Sequence, residues 1–257
     1  YLGAGKSLAY GLQHVLTMYG GIIAPPLIIG TAAGLEPAQI GLLIAAALFV
    51  GGLATILQTV GVKYIGAKLP LVQGVSFAGV ATMIAIVTAG GGLSAVYGAV
   101  IVASLIGFFL APYFSKIIRF FPPIVTGCVI TVIGLSLLPV AVRWMMGGNS
   151  KAPDWGSAEN ISLAFLTLAI VIVLNITRNA TIRRLSILLA IVLGTVLAYA
   201  MGFGDFSKVA NGNWIQFPSF FAFGMPTFEL SAIIAMLIVT LVIMTETTAD
   251  IIAVGEI

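Results

Sequence analysis

Two carboxylates four residues apart, Glu246 and Asp250, stand in an otherwise apolar stretch, IMTETTADIIAVGEI. On a helix that spacing sets both on one face, and Thr247 and Thr248 add hydroxyls beside them. A carboxyl so placed can take up and release a proton, as a proton-coupled transporter requires; the plainer reading is a hydrogen bond between helices. Glu256 follows near the end of the same stretch. A second polar pair, Gln13 and His14, interrupts AYGLQHVLTMYGG. His14 is the one histidine of the chain, so no histidine cluster can hold a metal. It is either a hydrogen-bonded tie between helices, or a donor to a polar ligand or a partner in proton coupling, since imidazole titrates near neutrality. The third feature is LPLVQGVSFAGVATM, Leu69 to Met83. Pro70 opens it, and Gln73, Gly74, Ser76 and Gly79 follow close together. Val72, Val75 and Phe77 favour extended backbone, whereas Ala81 to Ile86 reads as helix. A half-extended element leaves peptide groups unpaired at bilayer depth, which is tolerated only where they line a cavity or meet a ligand; broken helices of this kind mark midplane sites in secondary transporters. The alternative is a plain helix with packing glycines.

The elements that must carry these residues are membrane spans. Of 257 residues, 60% are hydrophobic and 7% charged, against about 25% charged in a soluble domain. That excludes an ordinary cytosolic enzyme, a nucleic-acid binder and a disordered tail. The lone Cys128 excludes a disulfide framework and a cysteine-built metal site. No Walker loop, dinucleotide fingerprint, HExxH pair or nucleophile elbow occurs, so no metal or cofactor is expected and transport energy must come from an ion gradient. A crossing needs about 20 apolar residues. Ser7 to Leu35 and Pro37 to Val62 carry no charge, and neither does Leu69 to Ser115, which Gly90-Gly91-Gly92 divides into two spans. Four more run over about Phe121 to Val142, Asn160 to Thr177, Leu185 to Phe203 and Leu230 to Ile257. Eight spans are thus expected in an all-α polytopic membrane protein. Val209 to Phe228, with its Asn, Gly and Pro residues and the aromatics Trp214, Phe217, Phe220, Phe221 and Phe223, reads as a long surface loop at the membrane–water interface.

Charge placement orients these spans. With the N-terminus inside, eight of the eleven basic residues fall in inner segments: Lys6, Lys63, Lys68, Lys116, Arg119, Arg178, Arg183 and Arg184. Arg143, Lys151 and Lys208 fall outside, beside Glu36, Asp154, Glu159, Asp205 and Glu229. This obeys the positive-inside rule. The first span lacks the flanks and cleavage site of a signal peptide. The missing initiator Met, and an end at Ile257 within an apolar helix, are expected of a fragment.

At three places the chain resembles the nucleobase–ascorbate transporter family, also called the nucleobase–cation symporter-2 family. They are Gln13-His14 in the first helix, Gly74-Val75-Ser76-Phe77 in the third, and Glu246-Thr247-Thr248-Ala249-Asp250 in the eighth. FPPIVTGCVITVIGLSLLPV and FGMPTF extend the resemblance along the chain, which is most similar to the bacterial xanthine and uric acid permeases. The resemblance implies fourteen helices in two inverted repeats of seven, divided into a core and a gate domain. Residues 1–115 would be core helices one to four, 116–205 gate helices five to seven, 206–229 an outer loop and 230–257 core helix eight. The rest of the second repeat, with the family's helix-ten signature, is absent from the sequence.

By the same resemblance, Glu246 would hydrogen-bond the ring N–H groups of a purine, and Phe77, Ala78 and Gly79 would border the base. Gln13, His14, Ser76 and Gln73 would support the site, and Asp250 would organise the Glu246 side. The family often has an aromatic where Gly79 stands, which puts stacking there in doubt, and often Gly where Ala249 stands. The implied activity is proton-coupled uptake of xanthine or uric acid across the inner (plasma) membrane, by a homodimer and with sodium as the other candidate coupling ion. Uracil or another nucleobase is the alternative substrate. An anion transporter on the related fold is disfavoured, because no Lys or Arg lies inside a span and Glu246 would repel a dianion.

Overall fold

The computed structural model describes residues 3–63, 65–117, 122–148, 152–203 and 218–255. All regular elements among them are helical: α1 (Ala4–Ala32), α2 (Pro37–Val60), α3 (Val80–Ile86), α4 (Gly92–Leu110), α5 (Phe114–Ile117), α6 (Pro123–Met145), α7 (Ala158–Ile176), α8 (Ala180–Arg184), α9 (Ser186–Ala200) and α10 (Leu230–Gly255). They form two compact units, one of Tyr1–Gly21 and Leu138–Gln216, the other of Ile22–Leu137 and Phe217–Ile257.

Five helical stretches among the described residues are long and apolar enough to cross a bilayer: Ala4–Ala32, Pro37–Val60, Phe77–Tyr113, Ala158–Ile176 and Leu230–Ile252. This differs from the expected eight for physical reasons. The third and fourth expected spans run together as one bent helical stretch, Phe77–Tyr113. The bend falls where the glycine run predicts it. Within a wide turn at Val87–Gly91, Gly90 has φ 100°, and Gly92 just beyond it has φ 61°, conformations open to a residue without Cβ. The fifth expected span is α6, of 23 residues. The seventh is helical for only 15 residues, Ser186–Ala200, about 22 Å at 1.5 Å per residue and short of a hydrocarbon core of about 30 Å. Of the expected surface loop, 209–217 lies outside the described residues; the rest contains a turn at 220–223.

In the second unit the core forms where α4, α10 and α3 meet. Ala95, Val96, Ala99 and Ala103 from α4, Ala232 and Met236 from α10, and Ile86 from α3 are buried together. Small residues recur at every fourth position of α4, through Ala95, Ala99, Ala103 and Gly107, and let backbones approach in a medium where apolar burial alone does not drive helices together. A Cβ at Gly107 would stand 2.8 Å from the Thr240 methyl. At Gly98 it would collide with the carbonyl of Thr227, on the segment leading into α10. That segment is tied to α4 by Thr227 N–H donating to Ser94 O at 3.0 Å and by an edge contact of the Tyr97 and Phe221 rings at 6.2 Å.

In the first unit α7 packs on α9, where a Cβ at Gly194 would stand 3.1 Å from the Thr167 methyl and hydroxyl. Asn179 caps the short α8 by accepting from Thr181 N–H and Ile182 N–H. Large apolar side chains such as Leu8, Phe109 and Ile176 face outward, as a lipid-facing surface permits.

Candidate functional site

The stretch from Leu71 to Ser76 lies outside any helix, as Pro70 and the cluster of small and polar residues predict. Helix resumes through a tight turn at Phe77–Gly79, and α3 begins at Val80. Phe77 therefore joins the turn instead of the extended run its β-propensity predicts. The cause is local: Ser76, with φ −92° and ψ 137°, caps the turn, its Oγ accepting from Ala78 N–H at 3.1 Å.

The same Ser76 hydroxyl donates to Glu246 Oε2 at 2.9 Å, joining positions 170 residues apart. This bond fixes the intramembrane carboxylate to the start of the resumed helix, where peptide N–H groups carry partial positive charge. Hydrogen bonds to a charged acceptor are roughly twice as strong as neutral ones. The contact can also outlast a change of protonation, since a hydroxyl donates to a carboxylate and accepts from a carboxyl.

Glu246 is half-buried, as are Gln73, Ser76, Phe77 and Ala78, and Gly79 is buried. A Cβ at Gly79 would stand 3.1 Å from Met83 Cε, 3.6 Å from Val239 Cγ1 and 3.8 Å from Met236 Cε. An aromatic side chain there would have to displace that packing, so the glycine accompanies a close seating of the turn on α10. Asp250 lies one turn beyond Glu246 and is exposed. The Thr248 hydroxyl bonds back to Met244 O at 2.7 Å. Thr245, unnoticed in the sequence, is buried and bonds back to Leu241 O.

Thus Gln73, Ser76, Phe77, Ala78, Gly79, Glu246 and Asp250 all belong to the second unit, whereas Gln13 and His14 belong to the first. Gln13 is half-buried and His14 exposed on α1, and Gln13 O accepts from the Thr17 hydroxyl at 2.8 Å. Glu256 lies outside the described residues. What the arrangement offers chemically is a carboxylate acceptor, held by a hydroxyl, beside backbone peptide groups without helical partners.

The Permease family matches residues 5–257. Uric acid permease PucK of Bacillus subtilis (strain 168) is 44% identical over 247 residues, covering 96% of this chain and 57% of the relative. Xanthine permease of the same organism is 41% identical over 254 residues, 99% of this chain and 58% of the relative. Uric acid transporter UacT of Escherichia coli (strain K12) is 36% identical over 258 residues, 100% of this chain and 53% of the relative. The chain thus spans little more than half the length of these curated relatives. It is a multi-pass membrane protein by its family and its apolar helices. Matched over nearly its whole length, the chain belongs to the permease family of these uric acid and xanthine permeases, the nucleobase–ascorbate transporters that its motifs resemble, which are transporters and not enzymes.

Proposed function

We propose that the protein of which this chain is part carries out proton-coupled uptake of a purine, xanthine or uric acid, across the cytoplasmic membrane. The observation that carries this reading is the 2.9 Å bond from Ser76 to Glu246 at the point where the third helix is broken. Both purines present ring N–H donors and exocyclic carbonyl acceptors in one plane. Glu246 accepts from the ring N–H groups, with Oε2 held by Ser76, and the turn at Phe77, Ala78 and Gly79 borders the base with backbone groups. The names of the relatives support the purine class.

The coupling proton resides on Glu246, a group whose hydrogen bond to Ser76 persists whether it is charged or neutral. Asp250, one turn away on α10, supports it. Gln73 serves the site through its backbone, and Gln13 and His14 take the supporting role in transport that the family resemblance implies. The N-terminus lies in the cytoplasm, as the basic residues of the inner segments favour. Residues 1–115 and 230–257 belong to a core domain and 116–205 to a gate domain, joined through the outer loop 206–229. The complete transporter is an inverted repeat of seven helices that works as a homodimer.

The test is Glu246→Gln in the complete permease, with uptake of radiolabelled xanthine and uric acid followed between pH 5.5 and 8. Loss of uptake, or uptake that no longer responds to pH, is expected. Unchanged uptake with an unchanged pH profile contradicts the assignment. Competition by unlabelled uracil separates a purine carrier from a uracil carrier, and removal of sodium separates the two coupling ions.

A further inference from the structure

One face of α2 runs alongside the non-helical stretch and is bonded to it at two levels. Near the helix end, Gln58 O accepts from Lys68 N–H at 3.0 Å and Gln58 Oε1 accepts from Ala67 N–H at 3.3 Å. One turn earlier, Thr55 Oγ1 accepts from Gln73 N–H at 2.9 Å. The Thr55 hydroxyl also lies 2.7 Å from Gly51 O and 3.2 Å from Gln73 O, and its one proton favours the nearer carbonyl. A threonine inside a helix commonly bonds back to the carbonyl four residues earlier. Here that bond orients the hydroxyl, and its lone pairs meet a peptide N–H that no helix satisfies. Gly51 makes the approach possible: a Cβ there would stand 3.1 Å from Gln73 O, 3.6 Å from Ile22 Cδ1 and 3.8 Å from Gly74 Cα. Ile22 closes the other side, with Cγ1 2.9 Å from where a Gly74 Cβ would be.

We infer that Thr55, seated over Gly51, is a positioning residue for substrate binding: its hydroxyl fixes the backbone at Gln73 and so sets where Ser76 meets Glu246. This deepens, and rests on, the reading of Ser76 and Glu246 as the purine site. Two residues, Gly74 and Val75, separate Gln73 from Ser76, and no helix holds them in place. With the Gln73 amide released, the run from Leu71 to Ser76 is restrained chiefly at its two ends. The substrate-facing groups then sample many positions, and binding must first order them.

The experiment compares Thr55→Val, which keeps the shape and removes the hydroxyl, with Thr55→Ser, which restores it, in the complete solubilised permease. Two quantities are read: hydrogen–deuterium exchange of the amides from Val72 to Ser76, and the Kd for radiolabelled uric acid or xanthine. Thr55→Val should speed exchange about five- to tenfold, the equivalent of one ordinary hydrogen bond, and raise Kd about tenfold, while Thr55→Ser stays within about twofold in both. Gly51→Ala, whose Cβ would stand 3.1 Å from Gln73 O and so shift that peptide against Thr55, should change exchange and Kd in the same direction and replaces Thr55→Val if that variant does not fold. Unchanged exchange overturns the inference, and so does faster exchange with an unchanged Kd. A parallel Glu246→Gln variant keeps the two claims apart. If it alone abolishes binding, Thr55 fails and the site reading stands; if it leaves binding untouched, the site reading fails and the exchange data decide whether Thr55 holds the stretch.

Discussion

Ser76→Ala removes one oxygen atom and with it two bonds: the donation to Glu246 Oε2 at 2.9 Å and the acceptance from Ala78 N–H at 3.1 Å. A hydrogen bond to a charged partner contributes about 1.5–3 kcal/mol, and loss of a serine cap costs about 0.5–2 kcal/mol. The same hydroxyl makes both, so the two ranges overlap and about 2–3 kcal/mol is the appropriate total. If the pair is part of the purine site, most of that loss falls on binding, a rise in Kd of about 30- to 150-fold. Ser76→Thr retains an oxygen with the same donor and acceptor capacity and should stay within a few-fold of wild type. The assay is equilibrium binding of radiolabelled uric acid to the purified complete permease, with its melting temperature measured alongside. A lowered melting temperature with an unchanged Kd would mean that Ser76 only closes a helix end, and the reasoning would be refuted.

Two further substitutions test the frame around the site. Gly98→Ala sets a methyl against the Thr227 carbonyl; overpacking of this kind costs about 1–3 kcal/mol and should lower the melting temperature, whereas an unchanged value would mean that the segment before α10 does not lie on α4. Gly90→Ala, at φ 100°, should destabilise by about 1–2 kcal/mol, while Gly21→Ala, inside α1 with nothing within 4 Å of the added Cβ, should stabilise by about 0.5–1 kcal/mol. Equal effects of the two in thermal melts would contradict the bend placed at Gly90.

The break in the third helix was legible because its causes are local. Pro70, Gly74 and Ser76 each disfavour helix on their own, and Val80 to Ile86 is helical almost where the apolar run Ala81 to Ile86 predicts it. The bend at Gly90 was legible for the same reason. Phe77 departs from its β-propensity because that propensity reflects packing on a pleated surface, and the capping bond from Ser76 overrides it. α9 is shorter than the apolar stretch Leu185 to Phe203, because hydropathy reports where apolar residues lie and not where the helix ends.

Pairings were harder to see. Ser76 and Glu246 each stand out as polar residues in apolar stretches, yet nothing in their spacing says that they touch across 170 positions. Thr55 gave less signal still. A lone threonine in a span reads as a back-bonded helix residue, and Gly51-Gly52 reads as a packing pair. Their role depends on which backbone arrives against them. The nearness of the Thr227 carbonyl to Gly98 is hidden in the same way, since it requires α4 and α10 to be assembled first.

The central claim is that Ser76 and Glu246 act as one unit in binding the purine, and a double-mutant cycle measures that directly. Kd for radiolabelled uric acid is determined for the complete permease, for Ser76→Ala, for Glu246→Gln and for the double variant. Residues in one hydrogen-bonded pair show coupling of about 0.5–3 kcal/mol. The account predicts that Ser76→Ala, which weakens binding at least about 30-fold alone, has little further effect once Glu246 is Gln. Two losses that simply add would contradict it.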